Sequence, residues 1–191
     1  MVTRLDQRLA VRTARPNDEA GLARLEAEAW TVGSGFPSVT ERAHDPFFTF
    51  FTSGGPPREY LVAELDGRLA GYIRVRPVTE LRENAHVLGV MGLAVAPGAR
   101  RRGVASALLA AAERLARTRG ARKLTLHVLS TNTAALALYE RLGFRREGAL
   151  REEFRIAGQY VDDVLMAKYL TGPGTTPPHG PRQGPAPAHP S

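Results

Sequence analysis

The sequence predicts a mixed α/β (α+β) domain, one sheet with helices packed on it and not a regular βαβ repeat. Three observations lead there. Short alternating or apolar runs mark seven strands, 3.6-residue periodicity marks the helices between some of them, and Gly-bearing turns join other strands directly. The resulting order is β-α-α-β-β-β-α-β-α-β-β.

Leu9 to Thr13 alternates as a strand. Pro16-Asn17-Asp18 then starts a helix that carries Leu22, Leu25 and Ala29 on one face. Trp30 to Ser38 reads as a Gly-bearing loop, followed by a short helix through Phe47, Phe48 and Phe51. Tyr60 to Leu65 and Arg68 to Val75 flank Asp66-Gly67, a dipeptide suited to a tight hairpin turn. A nearly all-apolar strand runs from about His86 to Val95, and a Pro97-Gly98 turn with Arg100-Arg101-Arg102 leads into an Ala/Leu-rich helix ending at about Thr118, near Gly120. Lys123 to Leu129 is a strand, Asn132 opens a helix stopped by Gly143, and Phe144 to Leu150 and Tyr160 to Tyr169 are the last two strands.

Composition narrows the function classes. The chain has 191 residues, enough for one domain with a real core, and no cysteine, which excludes disulfides, Cys-ligated zinc and a thiol nucleophile. The first ten residues are charged throughout and have no signal-peptide core, and no run approaches the length of a membrane span, so a cytoplasmic location and no membrane partner are expected. The formal charge of +7 comes almost wholly from arginine, the only lysines being Lys123 and Lys168. These arginines are scattered and lack interleaved aromatic residues, so the charge suits a polyanionic cofactor and no nucleic-acid partner is expected. Residues 171–191 are Pro- and Gly-dominated without large apolar side chains; a disordered tail is expected there, leaving a domain over about residues 8–170.

The strand Leu93-Ala94-Val95, the arginine turn and the helix opening at Gly103 form a chemical unit. A helix start offers unpaired N–H groups and the positive end of the dipole, so it favours a diphosphate. Backbone N–H groups of Arg101, Arg102, Gly103, Val104, Ala105 and Ser106 supply the donors, Arg100 to Arg102 add charge, and small residues at Gly103 and Ala105 leave room for approach. Downstream stands Asn132-Thr133-Ala134-Ala135-Leu136-Ala137-Leu138-Tyr139-Glu140-Arg141-Leu142-Gly143-Phe144, with Asn and Tyr seven apart.

Together these two motifs resemble the acyl-CoA signatures of the GNAT superfamily of N-acyltransferases, in the family's order and spacing, over residues 8–170. The ending Glu147-Gly148, Phe154-Arg155-x-x-Gly158-x-Tyr160-Val161-Asp162 and Met166 is similar to a bacterial branch that includes L-amino acid N-acyltransferases. The resemblance implies a mostly antiparallel central sheet flanked by helices and splayed between the fourth and fifth strands. It implies acetyl-CoA as donor, no metal, a small amine or peptide acceptor, and direct transfer in a ternary complex. Dimers are common in such families, so the resemblance leaves a homodimer possible, and no residue of the sequence decides the oligomeric state. The alternative is a non-catalytic acyl-CoA-binding sensor or accessory module.

Site residues follow from the same resemblance. The backbone of Leu93, Ala94 and Val95 would hold the pantetheine arm as an added strand. The Tyr139 phenol would protonate the departing thiolate, a role suited to a group with pKa near ~10, whereas a lone helical Tyr would otherwise be read as core. Asn132 caps its helix through the N–H of Ala134 or Ala135 and lies near the pantetheine. Many relatives carry a Glu in the strand before the turn, where this chain has Gly89, Val90, Met91 and Gly92; others carry it five residues before the motif Asn, where this chain has His127. His127 is therefore either the base or a strand histidine facing solvent or partly packed. His86 reads as structural. Deprotonating an α-amine at pH 7 costs only about 1 kcal/mol and a lysine-like amine about 4.6, so a weaker base mildly favours less basic acceptors. The acceptor is expected among the loops Trp30 to Ser38, Val78 to Asn84 and Ile156 to Tyr160, where Trp30 and Phe36 could line an apolar site and Glu80 and Glu83 could orient a cation. Tyr160 and Asp162 either orient the acceptor or hold the hairpin.

Overall fold

The structure, a computed structural model, describes residues 8–30 and 35–170. The expected tail, 171–191, and part of the loop after Trp30 lie outside the described residues. The strands are β1 (Leu9–Thr13), β2 (Tyr60–Leu65), β3 (Arg68–Pro77), β4 (Val87–Val95), β5 (Lys123–Leu129), β6 (Arg145–Ile156) and β7 (Gln159–Tyr169). The helices are α1 (Glu19–Ala29), α2 (Pro37–Ala43), α3 (Phe50–Gly54), α4 (Val104–Thr118) and α5 (Thr133–Arg141). The strands form one sheet in the order β1-β2-β3-β4-β5-β7-β6, antiparallel throughout except for β4 and β5.

Strand periodicity divides the core into two layers. In β2 and β3, Leu61, Ala63, Ile73 and Val75 face the layer under α4, while Tyr60, Val62 and Tyr72 face the layer under α1 and α3. Helix α4 buries Val104, Leu108, Leu109, Ala112 and Ala116 at i, i+4, i+5 spacing, and each fully buried Leu is worth roughly 1.5–3 kcal/mol. Gly71 lets that helix come close: a Cβ there would sit 2.7 Å from the Ala94 carbonyl oxygen and 3.1 Å from a Val104 methyl. The β2–β3 turn places Asp66 and Gly67 at φ +53° and +78°, the double left-handed conformation that Asp-Gly adopts at little cost.

Two elements differ from expectation. The aromatic run does not form one helix. Proline fixes φ at the first helical position, so α2 starts at Pro37. It ends before Asp45-Pro46, where the proline disfavours helical geometry in its predecessor and the Asp45 carboxylate accepts from the Phe47 amide at 2.8 Å. Phe47 is left 89% exposed in the turn, and α3 begins at Phe50, whose amide, like that of Phe51, donates to the Glu19 carboxylate of α1. The other difference is β6, which runs on to Ile156 with two register shifts against β7. It is an edge strand exposed over nearly its whole length, so no hydrophobic alternation marks its extent.

The feature that positions the site lies mid-sheet. Strand β4 pairs with β5 only over Val87–Val90 against Lys123–Leu126. Beyond Val90, β4 stays with β3 and β5 stays with β7, so the two parallel strands part, as the resemblance implied. Arg74 pairs with Gly92 and Val75 with Val90, which makes Met91 the extra residue of a β-bulge where the strands part.

Candidate active site

The parting of β4 and β5 opens a cavity of about 620 Å³. One wall is Val90 to Leu93 of β4, Leu126 to Leu129 of β5, and Asn132, Ala135, Leu138 and Tyr139 at and beyond the start of α5. The opposite wall is aromatic and charged: Glu26 and Trp30, Phe36, Arg42, Phe48, Phe50, and Tyr60, Tyr72 and Arg74 of the sheet, with Phe154 and Asp163 closing the β6–β7 side. The cavity thus brings together Leu93, His127, Asn132 and Tyr139, predicted from three separate segments. Ala94 and Val95 turn their side chains into the packed layers, and residues 100–106 lie past the end of β4 and outside the cavity wall.

At the end of β4, a single helical turn over Pro97–Ala99 delivers the chain to α4. Gly103 is the N-cap at φ +81°, and Arg101 precedes it at φ +62°. No side chain caps α4, so its first-turn amides remain outward donors. A Cβ at Gly103 would meet no atom within 4 Å. Glycine is therefore required here by φ, and the space over the amides is open. The three arginines are not equivalent. The Arg100 guanidinium donates to the Ala29 carbonyl at 2.7 Å and to the Val95 carbonyl at 3.4 Å, tying the end of α1 to the end of β4, so it is held by main-chain carbonyls and not directed at the anion site as expected. Arg102 lies 3.4 Å from Asp66 in the β2–β3 turn, and Arg101 is exposed.

Asn132 is the N-cap of α5, its side-chain oxygen accepting from the Ala135 amide at 3.1 Å. Seven residues on, Tyr139 is buried against Phe144, with ring centroids 5.8 Å apart. Burial alone pushes its pKa up to about 12. Among the described residues, the only fully occluded side-chain atoms without a hydrogen bond are Thr40 Oγ1 and Arg76 Nε. The Tyr139 hydroxyl, which bonds to no described residue, therefore opens into the cavity.

His127 projects from β5 into the cavity with more than half of its side chain exposed, and its Nδ1 lies 2.6 Å from the Asp163 carboxylate of β7. Across the cavity, Glu26 is 6% exposed; its Oε2 accepts from the Trp30 indole N–H at 2.9 Å and from the Tyr72 hydroxyl. Its Oε1 bonds to no described residue and, by the same reasoning as for Tyr139, faces the cavity. Burial, followed by the Glu26 charge, holds the Tyr72 phenol well above its ordinary range. Arg74 is neutralised by Glu59 through two hydrogen bonds of 2.9 and 2.8 Å, and Arg42 lies over the Phe48 ring at 5.5 Å.

The expected acceptor loops divide. Trp30 and Phe36 line the cavity, but no residue of Val78 to Asn84 does, and Glu80 and Glu83 are exposed elsewhere. The α2–α3 segment takes that place. His86 acts through its carbonyl, which accepts from the amides of Arg122 and Lys123. Asp162 accepts from the Glu152 amide at 2.9 Å, where β6 is bulged at φ +53°, and Tyr160 is exposed under the Arg155 cation, so both belong to the hairpin. Sequence reasoning missed Glu26 and Asp163. Each left a signal: Glu26 follows Leu22 by four residues on the apolar face of α1, and Asp163 interrupts the buried face of β7 between Val161 and the apolar run from Val164.

Among the described residues, no group of three or more His, Asp or Glu side chains is placed to hold a metal, and no helix is long and apolar enough to cross a membrane. Comparison with known proteins agrees with the geometry. The family model described as the acetyltransferase (GNAT) family matches residues 21–144. The chain is 30% identical over 152 residues to aminoglycoside N(6')-acetyltransferase type 1 of Klebsiella aerogenes, covering 77% of this chain and 96% of that protein. It is 32% identical over 132 residues to the [ribosomal protein bS18]-alanine N-acetyltransferase of Salmonella typhimurium, covering 68% and 85%. The fold superposes on the yncA protein of Salmonella typhimurium, solved with its cofactor acetyl-CoA, with a TM-score of 0.69 at 18% identity over 89% of this chain and 98% of that one. The chain belongs to the GNAT family of acetyltransferases and is an acetyl-CoA-dependent acyltransferase.

Proposed function

We propose that this GNAT acetyltransferase moves an acetyl group from acetyl-CoA to a primary amine by direct transfer, with both substrates in the cavity between β4 and β5. One observation carries the reading: the Tyr139 hydroxyl and the His127 imidazole both open into that cavity, beside a strand edge that has lost its partner.

The donor fits the residues present. The N–H groups of residues 101–106, uncapped and open above Gly103, would take the diphosphate, and the edge of β4 around Leu93 to Val95 would hold the pantetheine arm as an added strand. Arg101 and Arg102 would supply screening charge, and Asn132 fixes the start of α5 so that Tyr139 is presented correctly. Acetyl-CoA supplies an activated acyl carbon: the amine nitrogen bonds to it and the carbon–sulfur bond breaks. His127 takes the proton the amine loses, and Tyr139 gives a hydrogen bond and then its proton to the sulfur. A return of the imidazolium proton to the phenolate through water resets the site. At a pKa of about 12 the phenol stays protonated at every physiological pH. The same dry environment makes a free thiolate costly there, so the hydrogen bond to the departing sulfur is the stabilising element.

The acceptor would lie against the aromatic wall, its cationic or hydroxyl groups meeting the open oxygen of Glu26. A panel of free amino acids, polyamines, aminoglycosides and a peptide with an N-terminal alanine, read as thiol release from acetyl-CoA, tests the proposal. Amine-dependent, saturable release with at least one class is expected. Tight acetyl-CoA binding with no release in any class would overturn it and point to a non-catalytic binding module.

A further inference from the structure

We propose that Asp163 is a positioning residue that makes His127 a competent base, an inference that rests on the transfer reaction proposed above. The two side chains come from strands 36 residues apart in sequence. His127 of β5 stands opposite Leu165 of β7, and Asp163, two residues away on the same face of β7, is its diagonal neighbour. The Nδ1 of His127 lies 2.6 Å from Oδ2 of Asp163. Asp163 is 6% exposed, and no other side chain of the described residues bonds to it. A carboxylate in that position is costly to bury unless a donor satisfies it, and the imidazole is the donor the fold provides.

The direction of the bond determines the chemistry. An ionised carboxylate only accepts, so Nδ1 carries the hydrogen and Nε2 keeps its lone pair. The histidine side chain is more than half exposed and lines the cavity, so the nitrogen left free is the one that meets the acceptor amine. When the amine nitrogen bonds to the acyl carbon, its proton passes to Nε2, and the positive charge that forms on the ring lies next to Asp163. A lone strand histidine would divide its time between tautomers and rotamers. Here a buried carboxylate selects one of each. That is how a histidine can stand where other members of the family carry a carboxylate base five residues before the motif Asn.

The test combines kinetics with a signature that a purely structural staple would not give. Long-range proton–nitrogen NMR correlations of the neutral His127 ring are expected to show the Nδ1–H tautomer in the wild type and a shift of population toward Nε2–H in Asp163→Ala. The same variant is expected to lose at least about tenfold in kcat for the best acceptor, with the KM for acetyl-CoA within about twofold. His127→Ala should lose as much, and the double variant no more than His127→Ala alone, because the two residues act as one unit. Should Asp163→Ala fail to fold, Asp163→Asn preserves the volume and removes the charge, and it should lose activity in the same direction. Retention of the Nδ1–H tautomer without Asp163, full activity in Asp163→Asn, or losses that multiply in the double variant would each overturn the proposal. If the wild-type protein acetylates no amine, the transfer reading fails, while the tautomer measurement still decides whether Asp163 sets the ring.

Discussion

The two sides of the cavity are built from different materials. The proposed donor side is main chain: a strand edge released at Val90, a turn with left-handed residues at Arg101 and at the open N-cap Gly103, and the uncapped first turn of a 15-residue helix. The proposed acceptor side is side chain: Glu26, Trp30, Phe36, Tyr72, Phe154 and Asp163, contributed by elements spread along the chain. Backbone amides recognise a diphosphate whatever the neighbouring side chains are, so the donor side tolerates sequence change as long as the backbone holds its shape. The acceptor side has no such tolerance, since each contact is one residue's identity. A family can therefore keep one donor and vary the acceptor freely. Tyr139 stands where the two sides meet.

That contrast can be broken in several places, and the largest effect belongs to the meeting point. Tyr139→Phe keeps the ring in its packing against Phe144 and removes only the hydroxyl. Its kcat should fall by roughly 10²–10⁴-fold, the range for loss of a positioned acid, while calorimetry finds acetyl-CoA binding unchanged. An unchanged kcat would make Tyr139 a core residue. The same variant has a stability consequence. Because burial raises the Tyr139 pKa from 10 to about 12, the folded state keeps the proton at pH values where the unfolded chain has lost it. The stability this contributes is complete below pH 10 and is lost as pH rises toward 12, to the extent of two pH units at 1.36 kcal/mol each, about 3 kcal/mol. Denaturant titrations at pH 9 and 11.5 should show that loss in the wild type and a smaller one in Tyr139→Phe.

Smaller effects separate the two sides. Gly103→Val places a β-branched residue at φ +81° and fills the open space over the amides. The KM for acetyl-CoA should rise on the order of 10- to 100-fold, whereas Arg101→Ala, which changes only an exposed side chain, should move it by less than about threefold. A larger effect from Arg101→Ala than from Gly103→Val would put donor binding in the side chains, against the comparison. Smallest is Glu26→Gln, which retains an oxygen for Trp30 and Tyr72 and removes the charge facing the cavity. The acceptor KM is expected to rise about tenfold, worth ~1.4 kcal/mol, with the acetyl-CoA KM unmoved. Equal changes in both would remove Glu26 from the acceptor side.

What could be read in the sequence follows the same division. The strand, turn and helix of the proposed donor side are contiguous, so Leu93 to Ser106 displays its whole logic in one stretch, and the cap from Asn132 to Ala135 spans four residues. The hairpin turn at Asp66-Gly67 and the stop at Gly143, φ +89°, are equally local. The acceptor side is assembled by the fold: Glu26 meets Tyr72 across 46 residues and His127 meets Asp163 across 36, and no local pattern announces a partner so far away. Arg100 shows the converse. Its sequence context marks it as part of the anion site, and only the approach of the end of α1 reveals that Ala29 claims its guanidinium. The short helices α2 and α3 were obscured because their ends are set by Pro37, by the Asp45-Pro46 break and by Glu19 of a different helix.

If the main-chain and side-chain walls face one cavity because the two substrates must meet there, the kinetics have to show it. The chain has no cysteine to carry an acyl group. Initial rates of thiol release measured over a grid of acetyl-CoA and acceptor amine concentrations should give double-reciprocal lines that intersect, the pattern of a ternary complex. Parallel lines would mean that the acetyl group leaves CoA before the amine arrives, and direct transfer between the two walls would be wrong.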